Sequence, residues 1–139
     1  IYYNAQTREA ETDLFPLCAR EKIGTLIRAP LSSGILAAKF TKDTVFPPDD
    51  HRGNWLKGEL LARAVAEAEA LRKAAAPLPP AEAALRFILN QPAVTCIIVG
   101  AKTPEQVERN CAASDGKGLA TPVENAIRAV LPGDFPRQT

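Results

Sequence analysis

A parallel α/β architecture is what this sequence predicts, and three observations carry the expectation. Short apolar runs alternate with amphipathic stretches of helical period. The runs at 23–29 and 95–99 are bounded by turn residues, as buried parallel strands are. The order strand–helix–strand–loop–helix–helix–strand–helix fits right-handed crossovers between parallel strands. About three strands and four to five helices are expected. Three strands cannot close on themselves, and their free edges invite association. The remaining strands are therefore expected from an upstream segment or from a partner chain.

Each element has its local reason. Residues 1–3 read as a strand ending at Asn4. Ala10, Leu14, Leu17 and Cys18 recur at helical spacing within 8–22, and Glu9, Glu11 and Asp13 favour the N-terminal end. Pro16 interrupts that stretch unless the helix starts near Asp13. The run 23–29 closes at Pro30, and Ser32-Ser33-Gly34 then makes a turn whose N–H groups face an anion, followed by a short helical turn. Pro47, Pro48, Asp49, Asp50, Gly53 and Asn54 mark 41–57 as a loop, long enough to be functional or disordered. A helix over 58–76 places Leu60, Leu61, Ala64, Val65, Ala68 and Leu71 on one face. Another runs from Pro80 to about Asn90 with Ala83, Ala84, Phe87 and Ile88 inward. The strand 95–99, a helix over 104–113, a helix over 122–131 and a frayed tail complete the chain.

Composition narrows the partners. A formal charge of +1 leaves no dominant basic face, which argues against nucleic acid or a membrane surface as partner. No apolar run approaches the roughly 20 residues of a membrane span. Cys18, Cys96 and Cys111 lack metal-ligand spacing. Cys18 and Cys96 read as small core residues, and a reducing cytoplasm is the expected compartment. The 139 residues contain no methionine and open on isoleucine, so the chain is expected to be a piece of a longer one.

The most informative stretch is 95–110, T-C-I-I-V-G-A-K-T-P-E-Q-V-E-R-N. A buried strand, a tight turn and a proline-opened helix follow in direct succession. A helix N-terminus offers unpaired N–H groups and about half a positive charge, which holds phosphate. Lys102 stands at that spot, with Gln106, Arg109 and Asn110 on the first turns.

In this order the motifs resemble the C-terminal half of the aldo-keto reductases, NADP(H)-dependent (β/α)8 TIM barrels. The residues carrying the resemblance are Tyr3-Asn4, I-R-A-P-L-S-S-G-I-L at 27–36, F-P-P-D-D-H-R-G-N-W at 46–55 and I-I-V-G-A-K-T-P-E-Q-V-E-R-N at 97–110. They span nearly the whole chain, and the branch is the bacterial one with arginine after the apolar run. The resemblance implies the NADP-binding portion of an incomplete barrel, with the N-terminal half lying outside residues 1–139.

It also implies roles. Arg28 would lie beneath the nicotinamide ring, where a guanidinium plane can stack; the alternative is a rim arginine paired with a carboxylate. Leu31, Ser32, Ser33 and Gly34 would wrap the pyrophosphate. Gly100 and Lys102 would contact the adenosine ribose and its 2′-phosphate, while Gln106 and Asn110, four apart, would reach adenine and phosphate. Arg109 would join them or be a solvated helix charge. Ala101 stands where relatives of another branch place a serine, so one phosphate contact is missing, and Val99 stands where proline is common. His51 reads as a loop residue, and Trp55 as pocket lining or loop packing. The family's tyrosine, lysine, aspartate and histidine have no counterpart here, and neither Tyr2 nor Tyr3 takes the proton-donor role. No catalytic residue is assigned.

The expected function is the NADP(H)-binding part of a reductase acting on aldehydes or ketones, inactive alone and completed by the N-terminal half or a second copy. Two alternatives stand beside it: a non-catalytic nucleotide-binding or interaction subunit of the same ancestry, and a stand-alone half-barrel that oligomerises.

Overall fold

The structure, a computed structural model, describes residues 1–137. A small parallel sheet carries helices on one face. Strand β1 (Leu26–Ile27) pairs in parallel with β2 (Cys96–Ile97), Leu26 opposite Cys96 and Ile27 opposite Ile97. Residues 1–3 add a third, shorter pairing: Tyr2 bridges Arg28 in parallel, and the Arg28 amide donates to the Ile1 carbonyl at 2.8 Å. Helices α1 (Leu14–Arg20), α2 (Gly58–Ala74), α3 (Pro80–Leu89), α4 (Pro104–Ala112) and α5 (Thr121–Val130) follow the expected order. No helix among the described residues is long and apolar enough to cross a membrane.

Both main strands are shorter than the apolar runs that announced them, and neither is buried on both faces. The two-residue period of a strand explains this. Thr25 and Ile27 point into the helical layer and are buried, whereas Leu26 is 56% exposed and Arg28 shares its side. Through the register, Cys96 and Ile98 join that open face, and Ile98 is 57% exposed. Cys96 is therefore not the core residue expected of it; Cys18 is.

The stretch 8–22 answers the question that Pro16 posed, with the helix starting beside Asp13. Its helical part begins only at Leu14, after a 3-10 turn at Glu9–Glu11, so Pro16 falls in the first turn where its missing N–H costs nothing. That phase buries Phe15 and Cys18 and leaves Leu14 and Leu17 at the surface. Phe15 meets the fully buried Tyr3 edge-on, with ring centroids 4.8 Å apart.

The helical layer follows its patterning. Ala83, Ala84, Phe87 and Ile88 of α3 are fully buried beside Ile27, Leu36 and Ile127 in the main core. Leu61, Ala64 and Ala68 of α2 build a second cluster with Ile35, Leu56 and Phe135. Buried among these apolar neighbours is Glu67, whose carboxylate accepts from Gln6 Nε2 at 2.8 Å and Arg63 Nε at 2.7 Å. A buried charge needs such partners.

The expected frayed tail is pinned as far as it is described; residues 138 and 139 lie outside the described residues. The Phe135 amide donates to the Gln6 carbonyl, Thr7 Oγ1 donates to the Phe135 carbonyl, and the Arg8 guanidinium reaches the carbonyls of Leu131 and Pro132. Phe135 supplies the apolar anchor at 1% exposure.

Candidate functional site

The C-terminal ends of β1 and β2 lie side by side. The Ile98 amide donates to the Ile27 carbonyl at 2.8 Å, so the Arg28 turn and the Gly100 turn leave one rim of the sheet. Neighbouring strands are about 4.8 Å apart. The two segments singled out by sequence thus emerge next to each other.

Arg28 stands at this rim on the open face, exposed. Among the described residues no carboxylate pairs with it. Its guanidinium lies over the Tyr2 ring instead, 5.0 Å from the centroid. The alternative reading, a rim arginine paired with a carboxylate, finds no such partner within residues 1–137.

The turn after Arg28 is tightly wound. Ala29, Ser32, Ser33, Gly34 and Ala38 all adopt positive φ, which is costly for every residue but the glycine. Interlocking bonds hold it. The Ser32 amide donates to the Ala29 carbonyl at 3.0 Å and the Gly34 amide to the Leu31 carbonyl at 2.9 Å, while Asn4 Nδ2 also reaches the Ala29 carbonyl. Two of the N–H groups expected to face an anion are therefore already used within the turn. Ser32 Oγ is buried and has no hydrogen-bond partner among the described residues.

Sequence reasoning missed Arg52. Its guanidinium donates to the Ser33 carbonyl at 3.2 Å and pairs with Asp50 through Nε at 2.9 Å. It also packs over the rings of Phe40 and Phe46. The contact holds the Asp50 carboxyl well below the usual carboxylate range, through side-chain and then backbone hydrogen bonds from Arg52. Arg52 thereby ties the 41–57 loop to the turn. Arg52 Nη1 packs against Gly34, where a Cβ would meet it at 3.4 Å. The signal was present in F-P-P-D-D-H-R, where an arginine two residues after an aspartate and six after a phenylalanine is placed to clamp. Asp50 is more than a turn acid: its side chain also caps the 3-10 turn His51–Asn54.

Beyond the clamp lies a cleft of about 410 Å³, lined by Tyr2, Arg28, Ala29, Ser33, His51, Asn54 and Trp55. Trp55 both lines it and packs against the second core cluster. The His51 side chain is 77% exposed.

The second segment is built differently. No residue of α4 is buried. Thr103 caps it by accepting from the Gln106 amide, and Pro104 fills the first helical position. Gln106 Oε1 accepts from the Lys102 amide at 2.7 Å, which fixes the backbone beneath the lysine. Gly100 and Lys102 are exposed, Asn110 is half-buried, and Arg109 donates back to the Glu105 carbonyl of its own helix. None of these residues lines the cleft. Arg28 offers a guanidinium plane at the sheet's rim and Lys102 an exposed ammonium, a pair of groups that suits a ligand carrying both a flat ring and an anionic group.

The comparisons with known proteins agree with this architecture. The sequence profile of the aldo/keto reductase family matches residues 1–130. The chain is 31% identical to aldo-keto reductase YhdN of Bacillus subtilis, over 96% of its own length and 44% of that relative. It is 32% identical to the NADH-specific methylglyoxal reductase of Escherichia coli, covering 80% of this chain and 35% of the relative. The glycerol dehydrogenase AKR11B4 from Gluconobacter oxydans superposes with a TM-score of 0.82 at 26% identity, over 99% of this chain and 42% of that one. The chain spans less than half the length of the relatives it matches. Its fold is an incomplete portion of the family's barrel, and the chain belongs to the aldo/keto reductase family.

Proposed function

We propose that residues 1–139 form the NADP(H)-binding part of an enzyme that reduces aldehydes or ketones. The observation that carries this reading is the Ile98–Ile27 hydrogen bond, which sets the turn at 28–34 and the helix start at 100–110 on one rim. Arg28 stacks on the nicotinamide ring, and Leu31, Ser32, Ser33 and Gly34 border the pyrophosphate. Gly100 and Lys102 meet the adenosine ribose and its 2′-phosphate, and Gln106, Arg109 and Asn110 flank the adenine. The cofactor, when bound, supplies a hydride to the carbonyl carbon. The chain's own residues bind it, orient its ring and exclude water from one side.

No residue of this chain is assigned as proton donor. Tyr3 is fully buried and donates to Glu11, and burial, then Glu11, pushes its phenol above the usual range. The proton donor and the strands that cover the open face come from the N-terminal half of a longer polypeptide or from a second copy, and this segment alone is inactive. Three unpaired thiols support a reducing, cytoplasmic setting.

Lys102 decides between the nucleotides. A charge-assisted hydrogen bond is worth roughly 1.5–3 kcal/mol, or about 10- to 150-fold in affinity. Titration calorimetry of the intact protein with NADPH and NADH tests this. Wild type is expected to prefer NADPH, and Lys102→Ala to lose most of the preference with NADH binding unchanged. The NADH-specific relative makes the outcome informative. Equal relative affinities in wild type and variant would reject the assignment.

A further inference from the structure

Tyr2 and Arg28 are neighbours on adjacent strands and face the same side of the sheet. Tyr2 is 7% exposed, whereas Arg28 is exposed and lines the cleft beside it. The guanidinium stands 5.0 Å from the centre of the Tyr2 ring. Among the described residues it has no ion-pair or hydrogen-bond partner, so the ring is what orients it.

We propose that Tyr2 is the positioning residue for Arg28: its buried ring is a platform that holds the guanidinium in place before a nicotinamide ring arrives. The inference rests on the cofactor reading above and extends it by one residue. An arginine side chain has many rotamers, and stacking on a flat ligand requires one of them. An aromatic face attracts the cation and narrows that choice in advance, which raises affinity by cutting the ordering cost of binding. The Tyr2 hydroxyl is buried and has no hydrogen-bond partner among the described residues. The ring is therefore placed by packing, and phenylalanine serves equally well.

The test is a double-mutant cycle on the intact protein, read by NADPH titration calorimetry. Tyr2→Phe is expected to bind within about twofold of wild type. Tyr2→Leu is expected to bind about fivefold more weakly, inside the range of roughly 2- to 30-fold that a cation–π contact spans. In an Arg28→Ala background the same Tyr2→Leu change is expected to cost nothing. Losses that add would mean that Tyr2 acts independently of Arg28, which overturns the inference. Tyr2→Met fills the space without a ring and replaces Tyr2→Leu if that variant fails to fold. A readout without nucleotide is the NMR order parameter of Arg28 Nε–H, expected to fall in Tyr2→Leu and to recover in Tyr2→Phe; no change there also overturns it. Arg28→Ala binding like wild type sinks the cofactor role of Arg28 and this inference together. Arg28→Ala weakened beside an unaffected Tyr2→Leu sinks this inference alone.

Discussion

The two segments that leave the sheet's rim lie side by side yet are built in opposite ways. The turn at 29–38 is locked by internal hydrogen bonds, strained dihedrals and the Arg52 clamp, and it backs onto two core clusters. The start of α4 buries no residue and is held by one threonine cap and one glutamine. One segment offers a conformation fixed in advance, the other a charge carried on a solvated helix end, and the proposed cofactor role would draw on each differently. Damage to the first should appear as lost shape; damage to the second as lost charge, sensitive to salt.

The change with the largest expected effect breaks both at once. Phe87 is fully buried in the core under the strands, stacked with Tyr3 at 6.4 Å. Phe87→Ala is expected to destabilise by about 3–5 kcal/mol, read as a fall in Tm and in denaturation midpoint, with nucleotide binding lost only as the fold is lost.

Next comes the locked segment alone. Gly34 has φ of +91°, and a Cβ there would already touch Arg52 Nη1 at 3.4 Å and the Phe40 ring at 3.7 Å, so further branches meet both. Gly34→Val forces a branched side chain into both constraints, at a cost of about 1–3 kcal/mol. Binding of NADPH and NADH should weaken together, by tenfold or more. A loss confined to NADPH would contradict the division drawn here.

Arg52→Ala is expected to act more gently. It frees the 41–57 loop from the Ser33 carbonyl, so limited proteolysis should cut that loop several-fold faster while the helices keep their resistance. An unchanged cleavage rate would mean that the loop is held by its aromatic residues without the clamp.

Much of this layout was legible in the sequence. The helix expected over 58–76 and found at Gly58–Ala74, the proline-started helices and the inward face of α3 follow from hydrophobic period and capping, which are local properties. What stayed hidden depends on layers. The apolar runs at 23–29 and 95–99 read as strands buried on both sides, but burial of a strand is decided by what covers each face, and only one face is covered here. That is why Leu26, Cys96 and Ile98 are open to solvent. Glu67, Gln6 and Tyr2 were invisible for a related reason: their partners lie far away in the chain or on the next strand. The anion-facing turn at 32–34 and the helix start with Lys102, Gln106, Arg109 and Asn110 were read from the residues. Their cofactor roles, and those of Arg28, Leu31 and Gly100, came from the resemblance, and the geometry adds Tyr2 and Arg52 around them.

The exposed segment gives a smaller, purely electrostatic effect. Lys102→Ala should leave Tm unchanged, and the NADPH preference of wild type should shrink as salt rises, while the effect of Gly34→Val should not depend on salt. A smaller effect still tests the contact that ties Glu11 to Tyr3 and to Arg128 of α5. Burial would raise the Glu11 carboxyl, but hydrogen bonds from Arg128 and Tyr3 outweigh it and hold it below its ordinary value of 4.5. A depressed carboxyl stabilises the fold above that value and loses its contribution as pH falls through the folded one. Tm should therefore drop below about pH 4.5, and less steeply in Glu11→Gln.

Hydrogen exchange of the intact protein with and without NADPH tests the central claim most directly. A dinucleotide lying across both segments predicts added protection at 31–36 and at 100–106 together, at the same nucleotide concentration. Protection in one segment without the other, or in neither, would contradict it.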